Sequence, residues 1–184
     1  MIYLYSGTPG SGKSLHMARD IWLWVKKDIP VIANFPIAAD TVTSRFEPKC
    51  YYVSNDRLTP ELLLQASQVY FKNHKFREGA IKLYIDECQL MFNAREWNTK
   101  GRKEWLSFFT QHRKLGYDIY LVAQFDRMVD RQIRSLIEYE VIHRKVKNYG
   151  TWGQIFNLLS GGNLFVAVTS IVWNPLNIPA ICGI

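Results

Sequence analysis

Cysteine is scarce in this 184-residue chain: Cys50, Cys88 and Cys182 stand at no metal-ligand spacing. An odd count argues against a disulfide framework and favours a reducing compartment. Internal repeats and low-complexity segments are absent, so the chain reads as one compact unit. A long clean apolar run is missing as well. The nearest candidate, LFVAVTSIVWNPLNIPAICGI at 164–184, is broken by Asn174, Pro175, Asn177 and Pro179. Its unbroken part is only about half of the roughly 20 residues a membrane helix needs, so 164–173 reads as a strand. A glycine turn that begins at residue 7 leaves no room for a signal peptide. Acidic residues are the minority, 16 against 23 Lys and Arg, for a net charge of +7. That balance suits phosphate-bearing partners or an anionic membrane surface, but many soluble enzymes share it.

Apolar residues are plentiful, at 48%, which supports a substantial core and excludes global disorder. IYLYS (2–6) is short, aromatic and β-branched, and reads as a strand. Behind it, Leu15, Ala18, Trp22 and Val25 fall at helical spacing, with Met17, Ile21 and Trp24 on an adjoining face. A helix apolar over so much of its circumference is expected to be buried on two sides. PVIANF (30–35) and YYVS (51–54) read as strands. Thr59 and Pro60 open a helix over 59–72, with Glu61 in its first turn. IKLYIDECQ (81–89) is a strand, 95–103 a basic loop, and 102–115 a helix stopped by Gly116. Trp105, Phe108, Phe109 and His112 give that helix its apolar face. DIYLVAQ (118–124) is a strand, 127–137 a short helix, and EYEVIHRKVKN (138–148) a half-exposed strand. Strands alternating with helices predict an α/β fold with a parallel sheet, extended at one edge by the later β segments. The expected organisation is a single domain, with a core over about 1–147 and a C-terminal β extension over about 148–184.

Between the first strand and the first helix stands GTPGSGKS, residues 7–14. It satisfies G-x-x-x-x-G-K-[ST] in full, and a chance match in a chain of this length has a probability of roughly 1%. Here the motif also has the strand–turn–helix setting it requires, which favours phosphate binding over an ordinary glycine turn. Glycines let backbone N–H groups turn inward around phosphates, and the following helix adds the positive end of its dipole. Lys13 would neutralise β/γ-phosphate charge, and the Ser14 hydroxyl would coordinate Mg²⁺. The expected nucleotide-binding set is Gly7, Thr8, Pro9, Gly10, Ser11, Gly12, Lys13, Ser14 and Leu15.

A hydrolytic P-loop needs an acid at the end of a neighbouring strand, and IKLYIDE ends in Asp86 and Glu87. Asp86 is expected in the Mg²⁺ shell, with Glu87 orienting or deprotonating the attacking water. An acid pair of this kind leans toward an ATPase that does mechanical work, because small-molecule kinases need no water activator. Gln124, at the tip of the adjacent strand, is a candidate for contacting the γ-phosphate or its water. Among Arg113, Arg127, Arg131 and Arg134, one is expected to act as an arginine finger in a neighbouring subunit, with Arg134 the leading candidate. His16 reads as a packed or rim histidine and Cys88 as a small buried side chain. The loop 95–103 and HRKVKN carry most of the excess positive charge. They read as solvated faces, with a nucleic-acid groove or an acidic lipid surface as the alternative.

In this order GTPGSGKS, VIANFPI, LYIDECQ, FFTQHRKLGYDIYLVAQ and DRQIRSL resemble the Zot (zonular occludens toxin) family, the assembly ATPases of filamentous phages. The resemblance covers roughly residues 1–147, and rests on the Asn34 loop, Asp86-Glu-Cys-Gln, the HRK-x-G-x-D segment and Gln124 as well as the P-loop. It implies a RecA-like P-loop NTPase core that binds ATP and Mg²⁺ through Lys13, Ser14, Asp86 and Glu87. It also implies a ring-like homo-oligomer, expected to be a hexamer, at the cytoplasmic face of the host inner membrane. There it would work with phage coat and assembly proteins to export virions. Family members usually carry a membrane-spanning helix and an outer domain after this core, and neither is read in these residues. Membrane attachment is therefore expected through a segment absent from this chain or by other means. The competing readings are a DNA-translocating or DNA-packaging ATPase of the same core, a small-molecule or nucleotide kinase, and a nucleotide-gated scaffold. A kinase would need a lid, and no arginine-rich lid insertion is present. No guanine-reading N-K-x-D appears, which makes ATP the default nucleotide.

Overall fold

The computed structural model describes residues 1–37, 49–93, 101–148 and 164–172, together with positions 151 and 154. Seven strands form one sheet: β1 (Ile2–Ser6), β2 (Val31–Ala33), β3 (Cys50–Tyr52), β4 (Ile81–Ile85), β5 (Tyr117–Val122), β6 (Tyr139–Lys145) and β7 (Phe165–Ile171). Their spatial order is β3-β2-β4-β5-β1-β6-β7. Every neighbouring pair is parallel except β6 with β7, which is antiparallel. The helices are α1 (Lys13–Lys26), α2 (Pro60–Asn73), α3 (Arg102–Gln111) and the short α4 (Arg131–Arg134).

Strand alternation assigns the two faces. Ile2 and Leu4 of β1, with Leu83, Ile85, Ile119 and Leu121, pack against Leu63 of α2, Trp105, Phe108 and Phe109 of α3, and Ile133 of α4. Tyr5, with Tyr84, Tyr120 and Val122, packs against Met17, Ile21 and Val25 of α1. Each such side chain contributes about 1.5–3 kcal/mol when fully buried. On the α1 face, tyrosine rings stack across four strands. Tyr84 meets Tyr120 at 4.3 Å, Tyr120 meets Tyr3 at 4.9 Å, and Tyr3 meets Tyr139 at 5.1 Å. Trp24 of α1 donates to the Tyr84 hydroxyl at 3.0 Å, fixing the helix to this ladder.

Several elements are shorter than their sequence patterns. The strand predicted at 81–89 stops at Ile85, and a 3₁₀ turn follows at Cys88–Leu90. The helix predicted over 127–137 is a 3₁₀ turn, Asp126–Met128, followed by α4. The backbone break between them is stabilised by Asp130, whose side chain accepts from the Gln132 N–H at 2.9 Å. α1 also departs from expectation. Its buried stripe is Met17, Ile21 and Val25 alone, while Leu15 and Trp22 are 64% and 41% exposed. One sheet face can bury only one stripe of a helix, and Lys26 lies over the outward Trp22 ring at 3.5 Å. The start of α2 agrees with its sequence signal: the Thr59 side chain accepts from the Leu62 N–H at 3.3 Å. Residues 95–100 of the basic loop predicted at 95–103 lie outside the described residues.

Candidate nucleotide site

β1 ends at Ser6 and α1 begins at Lys13, so residues 7–12 must reverse the chain within one tight loop. Gly7 sits at φ 145°, where a Cβ would lie 2.5 Å from the backbone oxygen of His143 on β6. Its N–H donates to the Gln124 carbonyl at 3.2 Å. The base of the loop is thus wedged between the end of β5 and the side of β6. Gly12, at φ 93°, precedes α1 and offers no side-chain cap. Helix N–H groups left without such a cap form a ready anion site.

Lys13 folds back over the loop, its ammonium donating to the carbonyls of Gly7 at 2.5 Å and Thr8 at 3.2 Å. Partial burial pulls its pKa below the ordinary lysine value, while the charges of Asp86 and Glu87 oppose that shift. Thr8, Pro9, Gly10, Ser14 and Leu15 are exposed, whereas Ser11 is buried with no hydrogen-bond partner for its hydroxyl.

Asp86 follows the last residue of β4 and is clamped through its backbone by Asn34. Its N–H donates to Asn34 Oδ1 at 2.7 Å, and Asn34 Nδ2 donates to the Asp86 carbonyl at 2.8 Å. The same Nδ2 reaches Asn55 Oδ1 at 2.8 Å. Burial pushes the Asp86 carboxyl above the usual range; the hydrogen bond from the Glu87 N–H, at 2.8 Å, works against it. Glu87 has a left-handed backbone, φ 49°, an uncommon and costly state for a non-glycine residue. Its carboxylate accepts from the amide of buried Gln89. Cys88 beside it is fully buried, and its thiol is held protonated by burial.

β5 lies between β1 and β4, which brings the end of β5 between the P-loop and the acid pair. Gln124 stands there, and with Gly7, Thr8, Asp126, Glu140 and His143 it lines a cavity of about 330 Å³. Arg134 is held by Asp126 at 3.5 Å within its own chain. Arg113 lies at the opposite end of β5 and pairs with Glu138, so it sits away from this loop.

Some neighbours of the loop were not legible as such in the sequence. His16 stacks on Tyr5 at 5.0 Å and its Nδ1 lies 2.8 Å from Nε2 of His143. Burial lowers the His143 pKa, and the charges of His16 and Lys13 lower it further. Lys145 and Phe165 are register partners on β6 and β7. A Cβ on Gly10 would stand 3.3 Å from Lys145 Nζ, and one on Gly12 would stand 2.7 Å from Phe165 Cγ. Only the alternation of EYEVIHRK marked this strand, and alternation says nothing about which loop it adjoins.

The residues fit Mg²⁺. That ion takes one or two protein oxygens and completes its octahedron with water and phosphate. A single hydroxyl, Ser14, and a single carboxylate, Asp86, are such a set. Among the described residues no group of three or more His, Cys, Asp or Glu could hold a metal.

The chain is 29% identical over 169 residues to the Gene 1 protein of Enterobacteria phage I2-2, and 27% identical over 172 residues to that of phage M13. Both alignments cover 89% of this chain but only 46% and 48% of those proteins, so the chain spans about half the length of its curated relatives. Among solved structures, the DNA-packaging ATPase B204 from Sulfolobus turreted icosahedral virus matches with a TM-score of 0.61 at 14% identity. The match covers 92% of this chain and 95% of that one. That likeness shows the P-loop NTPase fold. The match to the zonular occludens toxin (Zot) family runs over residues 1–173, past the core to include β7, and the chain belongs to that family.

Proposed function

We propose that this chain is a Mg²⁺-dependent ATPase that drives assembly and export of filamentous phage particles at the cytoplasmic face of the inner membrane. The observation that carries the reading is the placement of the glycine loop and Lys13 after β1 and of Asp86 and Glu87 after β4, with β5 alone between those two strands. Phosphates would displace the Gly7 and Thr8 carbonyls from Lys13, whose ammonium then neutralises their charge. Ser14 and Asp86 would hold Mg²⁺, which neutralises charge on the β- and γ-phosphates. Glu87 would take a proton from the water that attacks the γ-phosphorus, and Gln124 would orient that water. Release of Glu87 from Gln89 is the conformational step this requires. Membership of the Zot family and similarity to the Gene 1 proteins of filamentous phages support the export role.

The working form is a ring-like homo-oligomer, expected to be a hexamer, in which Arg134 exchanges its Asp126 partner for a neighbour's nucleotide. Its partners are phage coat and assembly proteins. ATP hydrolysis per protomer, measured across a wide range of protein concentration, tests this reading. The specific rate should climb with concentration, and Lys13→Ala and Glu87→Gln should each abolish it. A flat rate that survives both substitutions would sink the proposal. A second reading, a DNA translocase, is favoured by the net charge of +7 and by the likeness to a packaging ATPase. Stimulation of turnover by DNA, with binding that weakens steeply as salt rises, would select it.

A further inference from the structure

We infer that Phe165 and Lys145, on the β6–β7 pair, form the nucleoside subsite, with the Phe165 ring as a stacking platform for the base of a nucleoside triphosphate. This rests on the reading of residues 7–14 as a phosphate loop. Direction decides where the nucleoside goes. Asp86 and Glu87 end β4, which lies on one side of β1, while β6 and β7 lie on the other. An ion shared by Ser14, Asp86 and the terminal phosphates draws the γ end toward β4 and β5. The nucleoside end therefore leaves over the opposite flank.

That flank is built by two cross-strand partners, Lys145 and Phe165. The Phe165 ring packs on the backbone of Gly12, the residue that leads into α1, and Lys145 Nζ approaches Gly10. Phe165 is only partly buried and Lys145 is exposed, so both keep surface open to a ligand. Any Cβ at position 12 would strike the ring, so glycine there lets the aromatic reach the phosphate loop. An aromatic face beside a helix N-terminus, with an ammonium next to it, matches a base joined to an anionic chain. Stacking is tolerant of base identity because every base has a π face. The subsite thus accepts adenine and guanine alike.

Calorimetric titration of the chain with ATP, GTP and inorganic tripolyphosphate tests this. Phe165→Ala should weaken both nucleotides roughly tenfold and leave tripolyphosphate unchanged, and Phe165→Trp should preserve ATP affinity. Unchanged ATP affinity in Phe165→Ala overturns the proposal. So does an equal loss for tripolyphosphate, because the ring would then only prop Gly12. Lys13→Ala separates the underlying reading: if it leaves ATP and tripolyphosphate affinity intact, the phosphate-loop assignment fails whatever Phe165 does.

Discussion

Asn34 holds the acid pair through the backbone rather than through a carboxylate, which makes it a positioning residue for Asp86. Asn34→Ala strands the part-buried Asp86 N–H, at a cost near the lower end of the about 1–3 kcal/mol of an unmet buried donor. Turnover is expected to fall about tenfold, the rate equivalent of roughly 1.4 kcal/mol. Steady-state kinetics at several Mg²⁺ concentrations check it, and a higher Mg²⁺ requirement is the signature of a displaced Asp86. The Asp86 carboxyl itself gives a pH prediction. Because burial raises its pKa, protons compete with the metal at a higher pH than they would for an ordinary carboxylate. The Mg²⁺ needed for half-maximal rate should therefore rise as pH falls toward that raised value. A requirement that stays flat over that range would mean that Asp86 is not a ligand.

α1 shows how far an apolar pattern can exceed what a sheet can bury. Met17, Ile21 and Val25 are the stripe against the sheet, and Trp22 faces outward under Lys26. Ile21→Ala should cost about 2–5 kcal/mol. Trp22→Ala, which removes an exposed ring and one cation–π contact, should cost under about 1 kcal/mol. Urea denaturation of the two variants measures the contrast, and comparable losses would show that both faces of α1 are packed. α3 is the better-buried helix: Trp105, Phe108 and Phe109 interlock with Phe92 at ring separations of 5.1–5.9 Å.

For the molecule as a whole, acid sensitivity should begin with histidine. Burial lowers the pKa of both His112 and His143, so the folded state binds their protons less readily than the unfolded chain does. Stability is fully present above the unfolded value of about 6.5 and falls as pH drops from there through the depressed folded values. Asp118 loses stability in a lower window. Burial opposes ionisation there, but its hydrogen bond with Lys82 at 2.6 Å helps keep the carboxyl below the usual range. Asp86, with its raised pKa, acts in the opposite sense. The thermal midpoint followed from pH 8 to pH 5 should decline, and His143→Gln should flatten part of that decline. An unchanged slope would remove His143 from the account.

The glycine loop, the acid pair and the order of strands and helices were all readable along the chain. They depend on local rules: glycine conformations, a capping threonine at 59, and short aromatic and β-branched runs such as IYLYS. Element ends were less legible, because the break after Ile85 and the break before Arg131 are stabilised by partners distant in sequence or by a side-chain cap that competes with helix propensity. The placement of Asn34 on Asp86, of His143 on Gly7 and of Phe165 on Gly12 was decided by tertiary structure alone. Each of these contacts joins residues from different strand ends or loops, and the sheet order that brings them together carries no signature in the neighbouring residues. Local chemistry could single out the glycine loop as a candidate phosphate site; only the packing of β6 and β7 beside it could say what stands at its far side.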